Sequence, residues 1–119
     1  MSAIKAYQDN VVTTQSRGRL IVMLYDGAIK FLEQAIREIE NQDWIAKGRY
    51  INRAVAIIDE LDLSLDMEAG GEIAMNLRRL YDFLRRHVSA ANFHRDPARL
   101  REAITILKEL NEGWKAVTA

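Results

Sequence analysis

The sequence has no cysteine, one proline and six glycines among its 119 residues, and it has no long hydrophobic run. The lack of cysteine excludes disulfide bonds and thiolate metal sites. Scarce helix breakers and the lack of strict polar–apolar alternation predict an all-α chain. Because no apolar run reaches the length of a membrane span and residues 1–5 lack the apolar core of a signal peptide, we expect a cytoplasmic protein with no membrane insertion.

Neither sign of charge dominates, because 17 basic residues balance 17 acidic residues and the formal net charge is zero. A nucleic-acid or anionic-membrane partner would require a surplus of basic charge, so we expect neither partner. Four arginines repeat at a seven-residue spacing around Asp82, which predicts a solvated helix face. These arginines are Arg78, Arg79, Arg85 and Arg86.

The sequence contains no residue pattern typical of catalysis, cofactor binding or metal binding. His87 is followed by Val88 and Ser89, and it lacks the lysine and glycine that follow the histidine of four-helix phosphotransfer domains. Neither His87 nor His94 has a glutamate three residues earlier, as bundle metal sites require. A phosphate-binding glycine loop and a nucleophile elbow are also missing. We therefore expect a protein that is not an enzyme and needs no cofactor or metal.

Helix-start signals divide the chain into four helices. Ser16, Asp43 and Asp96 are N-cap candidates, and Pro97 suits the first turn of the last helix. The predicted helices cover 16 to about 40, 43 to about 65, about 72–91 after the Gly70-Gly71 break, and 97 onwards. Short connections between long helices predict an antiparallel up-down four-helix bundle, with residues 1–15 as an N-terminal arm and 16–119 as the bundle.

The first predicted helix carries more apolar surface than a bundle needs. Six consecutive apolar residues, 20–25, go right round the helix, whereas one stripe is sufficient for the core. Leu20, Leu24, Ala28, Phe31 and Ala35 make the predicted core stripe. Val22 and Met23 fall on the charged side with Asp26, Lys30, Glu33 and Arg37. Either the arm, through the helically spaced Ile4, Tyr7, Val11 and Val12, or another protein must cover them, which predicts a binding function.

The second helix carries an apolar line opposite its predicted core stripe. Ile45, Ala56 and Leu63 share this line with Asn52. Isolated exposed apolar residues are common, but together with Val22 and Met23 they indicate a contact surface. Gly27, inside the first helix, has two interpretations: close packing against a neighbouring helix, which we favour, or a flat place for a partner backbone.

Several segments together resemble the FliS family, the cytoplasmic export chaperones of flagellin. The first segment is 22–32, Val-Met-Leu-Tyr-Asp-Gly-Ala-Ile-Lys-Phe-Leu. The others are Ser64-Leu65-Asp66, Gly70-Gly71-Glu72-Ile73-Ala74, Asn76-Leu77 with Leu80-Tyr81, Ala91-Asn92 and Trp114-Lys115. The match runs in order along nearly the whole chain. One departure is Ser16-Arg17-Gly18, where the family usually has Ser-Pro before the first helix.

The resemblance implies a helical bundle that binds the disordered C-terminal segment of flagellin, prevents premature polymerisation and delivers the subunit to a component of the flagellar export gate. It also implies a tyrosine in the arm, matching Tyr7, that shields the binding surface. The predicted partner-binding residues are Tyr7, Leu20, Val22, Met23, Tyr25, Asp26, Gly27, Ile45, Asn52, Ala56 and Leu63. The alternative function is a homodimeric helical adaptor that uses the same surface, and self-association of the free protein is a related expectation.

Overall fold

A computed structural model describes the backbone of residues 3–118 and the side chains of residues 17–117. Four helices account for nearly all of this part of the chain, which confirms the all-α prediction. They are α1 (Ala3–Glu40), α2 (Trp44–Leu63), α3 (Met67–His94) and α4 (Pro97–Thr118). None of the described helices is both long and apolar enough to cross a membrane.

The helices form an antiparallel up-down bundle. α1 packs against α2 and α4, and α3 packs against the same two helices from the opposite corner. Among the described residues, the diagonal pairs α1–α3 and α2–α4 have no neighbouring backbone. Because the connections contain only a few residues, each helix runs antiparallel to the helix before it. The predicted four-helix architecture is therefore confirmed.

Aspartates start three of the helices. Asp43 Oδ1 accepts a hydrogen bond from Ala46 N at 3.1 Å, and Asp96 Oδ1 accepts one from Ala98 N at 3.0 Å. These two starts were predicted from the sequence. The third cap, Asp66, accepts hydrogen bonds from two backbone amides at 2.9 and 3.1 Å, so that α3 begins before the glycine pair. Each side chain satisfies amides that have no partner within the helix.

The predicted start of the first helix at Ser16 is wrong, because α1 runs without a break from Ala3. Residues 3–15 contain no proline or glycine, and Gly18 costs a helix interior only about 1 kcal/mol. The division into an arm, 1–15, and a bundle, 16–119, stays a prediction. The side chains of Ile4, Tyr7, Val11 and Val12 lie outside the described part of the molecule.

The predicted break at the glycine pair is present inside α3. Gly71 has φ 51° and ψ −126°, so a short capped turn precedes the long helical segment. The preceding Gly70 is also constrained, because a Cβ there would lie 2.7 Å from the Cβ of Ala74. The two glycines therefore allow α3 to begin earlier than predicted while still changing direction at position 71.

The core stripe of α1 is rotated relative to the prediction. The buried residues are Tyr25, Ala28, Ile29, Leu32 and Ala35. Leu20 is 57% exposed, and Leu24 and Phe31 are half-buried at the edge of the core. α1 packs against both α2 and α4, and the side of α1 that faces these two helices becomes the buried side.

Replacing Gly71 by alanine should destabilise the fold by about 1 kcal/mol, because a side chain disfavours the left-handed backbone conformation. Urea unfolding monitored by circular dichroism measures this difference. Gly113→Ala in α4 is the matched control, since no described atom lies within 4 Å of its Cβ position. Alanine there should leave stability unchanged or raise it. Equal losses in both variants would contradict the role assigned to the backbone at Gly71.

Candidate partner-binding surface

Large apolar side chains of α1 are exposed away from its buried face. Met23 is 67% exposed and Leu20 is 57% exposed. Met23 lies on the opposite side of the helix from the buried Tyr25 and Leu32, as a helical repeat of 3.6 residues requires. The predicted uncovered position of Met23 therefore agrees with the structure. Val22 is half-buried, so it offers less surface than expected.

The second apolar line of α2 is also exposed. Ile45 is 77% exposed and Leu63 is 78% exposed, and Asn52 and Ala56 between them are exposed as well. The two ends are separated by 18 residues, which corresponds to about 27 Å along a helix. A partner that contacts both ends must therefore follow most of the length of α2.

The contacts between α1 and α2 determine which exposed residues lie at the same level. Ile57 Cδ1 of α2 lies beside Gly27 of α1, and Phe31 stacks on Tyr50 with ring centroids 6.2 Å apart. Since the helices are antiparallel, residues seven positions before Gly27 reach the C-terminal end of α2. Leu20, Met23 and Leu63 thus lie near the same end of the bundle, and we call these three residues the α1–α2 patch.

Gly27 has a packing role. A Cβ at this position would lie 3.2 Å from Ile57 Cδ1, closer than ordinary van der Waals contact. This distance supports the favoured interpretation, in which the glycine allows close approach of α2. Any role of Gly27 in partner contact is limited to its remaining half-exposed surface.

Tyr25 and Asp26, the other predicted binding residues of the first helix, differ in exposure. Tyr25 is completely buried and so cannot contact a partner at the surface, which corrects its placement in the binding set. The physical reason is the rotation of the α1 stripe. Asp26 is exposed and accepts a hydrogen bond from Asn111 Nδ2 at 2.8 Å, with Lys115 Nζ at 4.0 Å. Tyr7 lies outside the described side chains.

An apolar cavity of about 180 Å³ opens at the same end of the bundle as the α1–α2 patch. Its lining comes from all four helices and the α2–α3 connection: Ile21, Leu61, Ser64, Leu65, Asp66, Gly70, Ile73, Ala74, Leu77, Tyr81 and Trp114. No pattern in the sequence predicts this cavity, and Ile73 in its lining is exposed. The Gly70-Gly71 break was the available signal, since the non-helical backbone at Gly71 lies next to residues that line the cavity.

The far end of the bundle is closed by side chains that join α2 to α3. Lys47 is buried, and its Nζ donates to the Asn92 carbonyl at 3.0 Å. Burial lowers the pKa of Lys47, and the nearby Arg95 lowers it further. The Arg95 guanidinium in turn lies 3.9 Å above the Trp44 ring. These groups tie helix ends together, and the described residues contain no cluster of acidic or histidine side chains suited to a metal ion.

The predicted solvated face of α3 agrees with the exposure of Arg78, Arg79 and Arg86, whereas Arg85 is half-buried. Arg78 Nε lies 3.0 Å from Asp62 Oδ1, and Arg85 Nη1 lies 3.2 Å from Asp59 Oδ1. Arg85 also pairs with Asp82 on its own helix. Arg79 and Arg86 point elsewhere and remain exposed.

Comparison with known proteins decides the family. A family profile described as "Flagellar protein FliS" matches residues 1–119. The chain is 39% identical to the flagellar secretion chaperone FliS of Salmonella typhimurium, over 98% of this chain and 90% of that protein. It is 36% identical to that of Campylobacter jejuni, over 97% and 90%, and 35% identical to FliSB of Pseudomonas aeruginosa, over 99% and 97%. The chain belongs to the FliS family.

In this FliS-family chain, the tyrosines of two similar segments meet inside the core. Leu24-Tyr25-Asp26 in α1 and Leu80-Tyr81-Asp82 in α3 place Tyr25 Oη 2.5 Å from Tyr81 Oη. Burial raises the pKa of Tyr25, and its hydrogen bonds to Tyr81 and Trp114 oppose this effect. Burial also raises the pKa of Tyr81, and the hydrogen bond with Tyr25 adds to the increase. Both phenols therefore stay protonated in the folded protein.

The raised pKa values predict a loss of stability in alkali. Unfolded tyrosine ionises near a pKa of about 10, so ionisation above that pH favours the unfolded chain. The contribution of the pair is fully present below about pH 10 and declines as the pH rises above it. Urea unfolding from neutral to alkaline pH should therefore show a steeper decline for the natural protein than for the Tyr25→Phe, Tyr81→Phe double variant. Parallel pH profiles would contradict this account.

Proposed function

We propose that the protein is a cytoplasmic export chaperone that binds the disordered C-terminal segment of flagellin. Family membership supports this function, because relatives that match over nearly the whole chain are named flagellar secretion chaperones. The structural observation that carries the proposal is the α1–α2 patch, whose three large apolar side chains are each more than half exposed. Exposed apolar groups at one end of a bundle suit a partner that brings its own apolar side chains.

The proposed partner segment follows the outer side of α2 and ends at the α1–α2 patch. Ile45 and Leu63 supply apolar contacts about 27 Å apart, a distance that a helix of about 18 residues spans. Asn52 and Ala56 lie between them with little side-chain bulk. Tyr7 belongs to the proposed site through the family resemblance alone.

The proposed mechanism is stoichiometric sequestration without catalysis. A disordered segment loses conformational entropy when it folds on a surface, and a long apolar contact must offset that cost. While bound, the segment is unavailable for polymerisation. Delivery to a component of the flagellar export gate follows as the second step, with the chaperone released afterwards. The alternative, a homodimeric adaptor, predicts that the chain binds a copy of itself through the same α1–α2 patch.

The test of the function is calorimetric titration of the purified chain with a peptide covering the flagellin C-terminal segment from the same cell. The chaperone function predicts one-to-one binding and a delay of flagellin polymerisation measured by light scattering. The absence of binding, combined with self-association that Met23→Glu abolishes, would favour the adaptor.

Met23→Glu should weaken flagellin binding at least about tenfold, because a glutamate hydrated in the free protein must lose water in the complex. Stability in urea should stay near that of the natural protein, since Met23 is 67% exposed. Thr105→Glu introduces the same charge on exposed α4 and serves as the control. Calorimetry and urea unfolding provide the two readouts. Unfolding of the Met23→Glu variant with wild-type binding of the folded fraction would contradict the placement of Met23.

The double variant Ile45→Ser, Leu63→Ser tests the outer side of α2. Removing two exposed apolar groups should lower flagellin affinity while circular dichroism reports unchanged helicity, because neither side chain contributes to the core. The single variants separate the two ends of α2. If only Leu63→Ser weakens binding, the partner contacts the α1–α2 patch alone; unchanged affinity in all three variants removes α2 from the site.

A further inference from the structure

Two cations lie close together at the end of the bundle opposite the α1–α2 patch, and neither pairs with a carboxylate. Lys47, in the first turn of α2, is only 7% exposed, and its Nζ donates a hydrogen bond to the Asn92 carbonyl at 3.0 Å. Arg95, directly after α3, is exposed, and its guanidinium lies 3.9 Å from the centroid of the Trp44 ring. Within residues 17–117, no ion pair joins either cation to an aspartate or a glutamate. We call Lys47 and Arg95 the cation pair.

The acidic residues next to the cation pair in the sequence bind other groups. Asp43 Oδ1 accepts a hydrogen bond from a backbone amide in the first turn of α2 at 3.1 Å. Asp96 Oδ1 accepts one from a backbone amide of α4 at 3.0 Å, and Asp96 Oδ2 lies 3.3 Å from Arg99 Nε. Both carboxylates thus serve the starts of helices. The cation pair therefore keeps N–H groups for a further acceptor.

The cation pair is costly in free energy without an anion. Burial lowers the pKa of Lys47 by removing water from the ammonium group, and the like charge of Arg95 lowers it further. One carboxylate would offset both effects, because it attracts both cations and its two oxygens accept charge-assisted hydrogen bonds. In a protein partner, this chemistry belongs to aspartate, glutamate and the C-terminal carboxylate.

Exposed apolar side chains neighbour the cation pair in the sequence. Ile45 follows Trp44 and is 77% exposed, and Phe93 comes two residues before Arg95 and is 84% exposed. The Phe93 ring meets the His94 ring edge to face, with centroids 5.0 Å apart. Apolar groups around a charged group help a bound partner to exclude water from it. Ile45 also marks the end of the proposed path of the flagellin segment along α2.

We propose that the cation pair binds one carboxylate of the flagellin segment, at the end of α2 where the segment contacts Ile45. The exposed Arg95 guanidinium makes the direct hydrogen bonds, and the buried Lys47 ammonium group contributes mainly its charge. This inference rests on the proposed function and adds a chemical requirement to it. The segment must carry a carboxylate about 27 Å, or about 18 helical residues, from the apolar groups that contact the α1–α2 patch. These two different contacts fix the direction and register of the segment along α2.

Calorimetric titration of the full-length protein with flagellin C-terminal peptides tests the proposal. In a series of peptides, each aspartate or glutamate is changed singly to asparagine or glutamine, and in a further peptide the C-terminal carboxylate is amidated. One of these changes should weaken binding about tenfold, since it removes a charge-assisted hydrogen bond. The same change should have little effect on binding to the Arg95→Gln variant, because that variant already lacks the contact. The series also distinguishes a side-chain carboxylate from the C-terminal one.

Lys108→Gln is the matched control, since it removes one positive charge from an exposed position of α4. This variant should bind every peptide as the natural protein does. A second readout is the pKa of Lys47, measured by NMR on protein labelled in its lysine side chains. The natural peptide should raise this pKa, because a carboxylate favours the charged ammonium group, and the peptide without the critical carboxylate should not. Circular dichroism checks that each variant remains helical.

The proposal is overturned if no carboxylate of the peptide shows coupling with Arg95, or if the pKa of Lys47 does not rise on binding. Equal binding of the natural peptide to the natural protein and to the Arg95→Gln variant would remove the carboxylate contact and leave the proposed function intact. The absence of any binding to the natural protein would overturn both.

Discussion

The hydroxyl groups of Tyr25 and Tyr81 connect α1 and α3, a diagonal pair whose backbones are not neighbours in the described structure. A square bundle needs large side chains to fill its centre, and two phenols reaching across the diagonal do so from opposite corners. Each hydroxyl must find a partner in the core, because a buried polar group without a hydrogen bond costs about 1–3 kcal/mol. The pair therefore fixes both the spacing of the diagonal and the level of α1 relative to α3.

The position of α1 relative to α3 along the bundle axis affects the packing at the end of the bundle. Tyr81 and Trp114 line the apolar cavity, together with Ile21 of α1. The described core residues leave this cavity unfilled beside the non-helical backbone at Gly71. The exposed α1–α2 patch lies at the same end. The core around the tyrosine pair and the exposed apolar groups at the end of the bundle are thus parts of one arrangement. Such an arrangement suits a protein that binds an apolar partner segment.

The two broad sides of the bundle have different chemistry. The α1–α2 side exposes the apolar groups of the α1–α2 patch, while the exposed side of α3 and α4 carries Arg79, Arg86, Glu102 and Glu109 around Phe83. The zero net charge of the chain conceals this contrast, because a net charge counts residues and does not record where they lie. A partner rich in apolar residues suits the first side. A partner surface that bears both signs of charge suits the second.

Much of the fold could be predicted from local chemistry. Asp43 and Asp96 act as N-caps because a carboxylate can accept hydrogen bonds from the free backbone amides of the first turn. Since capping involves only neighbouring residues, it can be predicted from the sequence. Gly71 breaks α3 because only glycine adopts its conformation without strain. The start of α1 could not be predicted in this way. Ser16 offers a capping side chain, but nothing before it stops a helix, so the chain continues to Ala3.

The sequence by itself determined that the chain is helical, that it turns at three places and that α1 has more apolar surface than one core can bury. It could not determine which part of that surface becomes core, because residues 20–25 are apolar on every side of the helix. Contacts with α2 and α4 decided this: they buried Tyr25 and left Leu20 and Met23 exposed. The apolar cavity and the contact of His87 with Glu102 are likewise tertiary facts, since each depends on how separate helices are placed against one another.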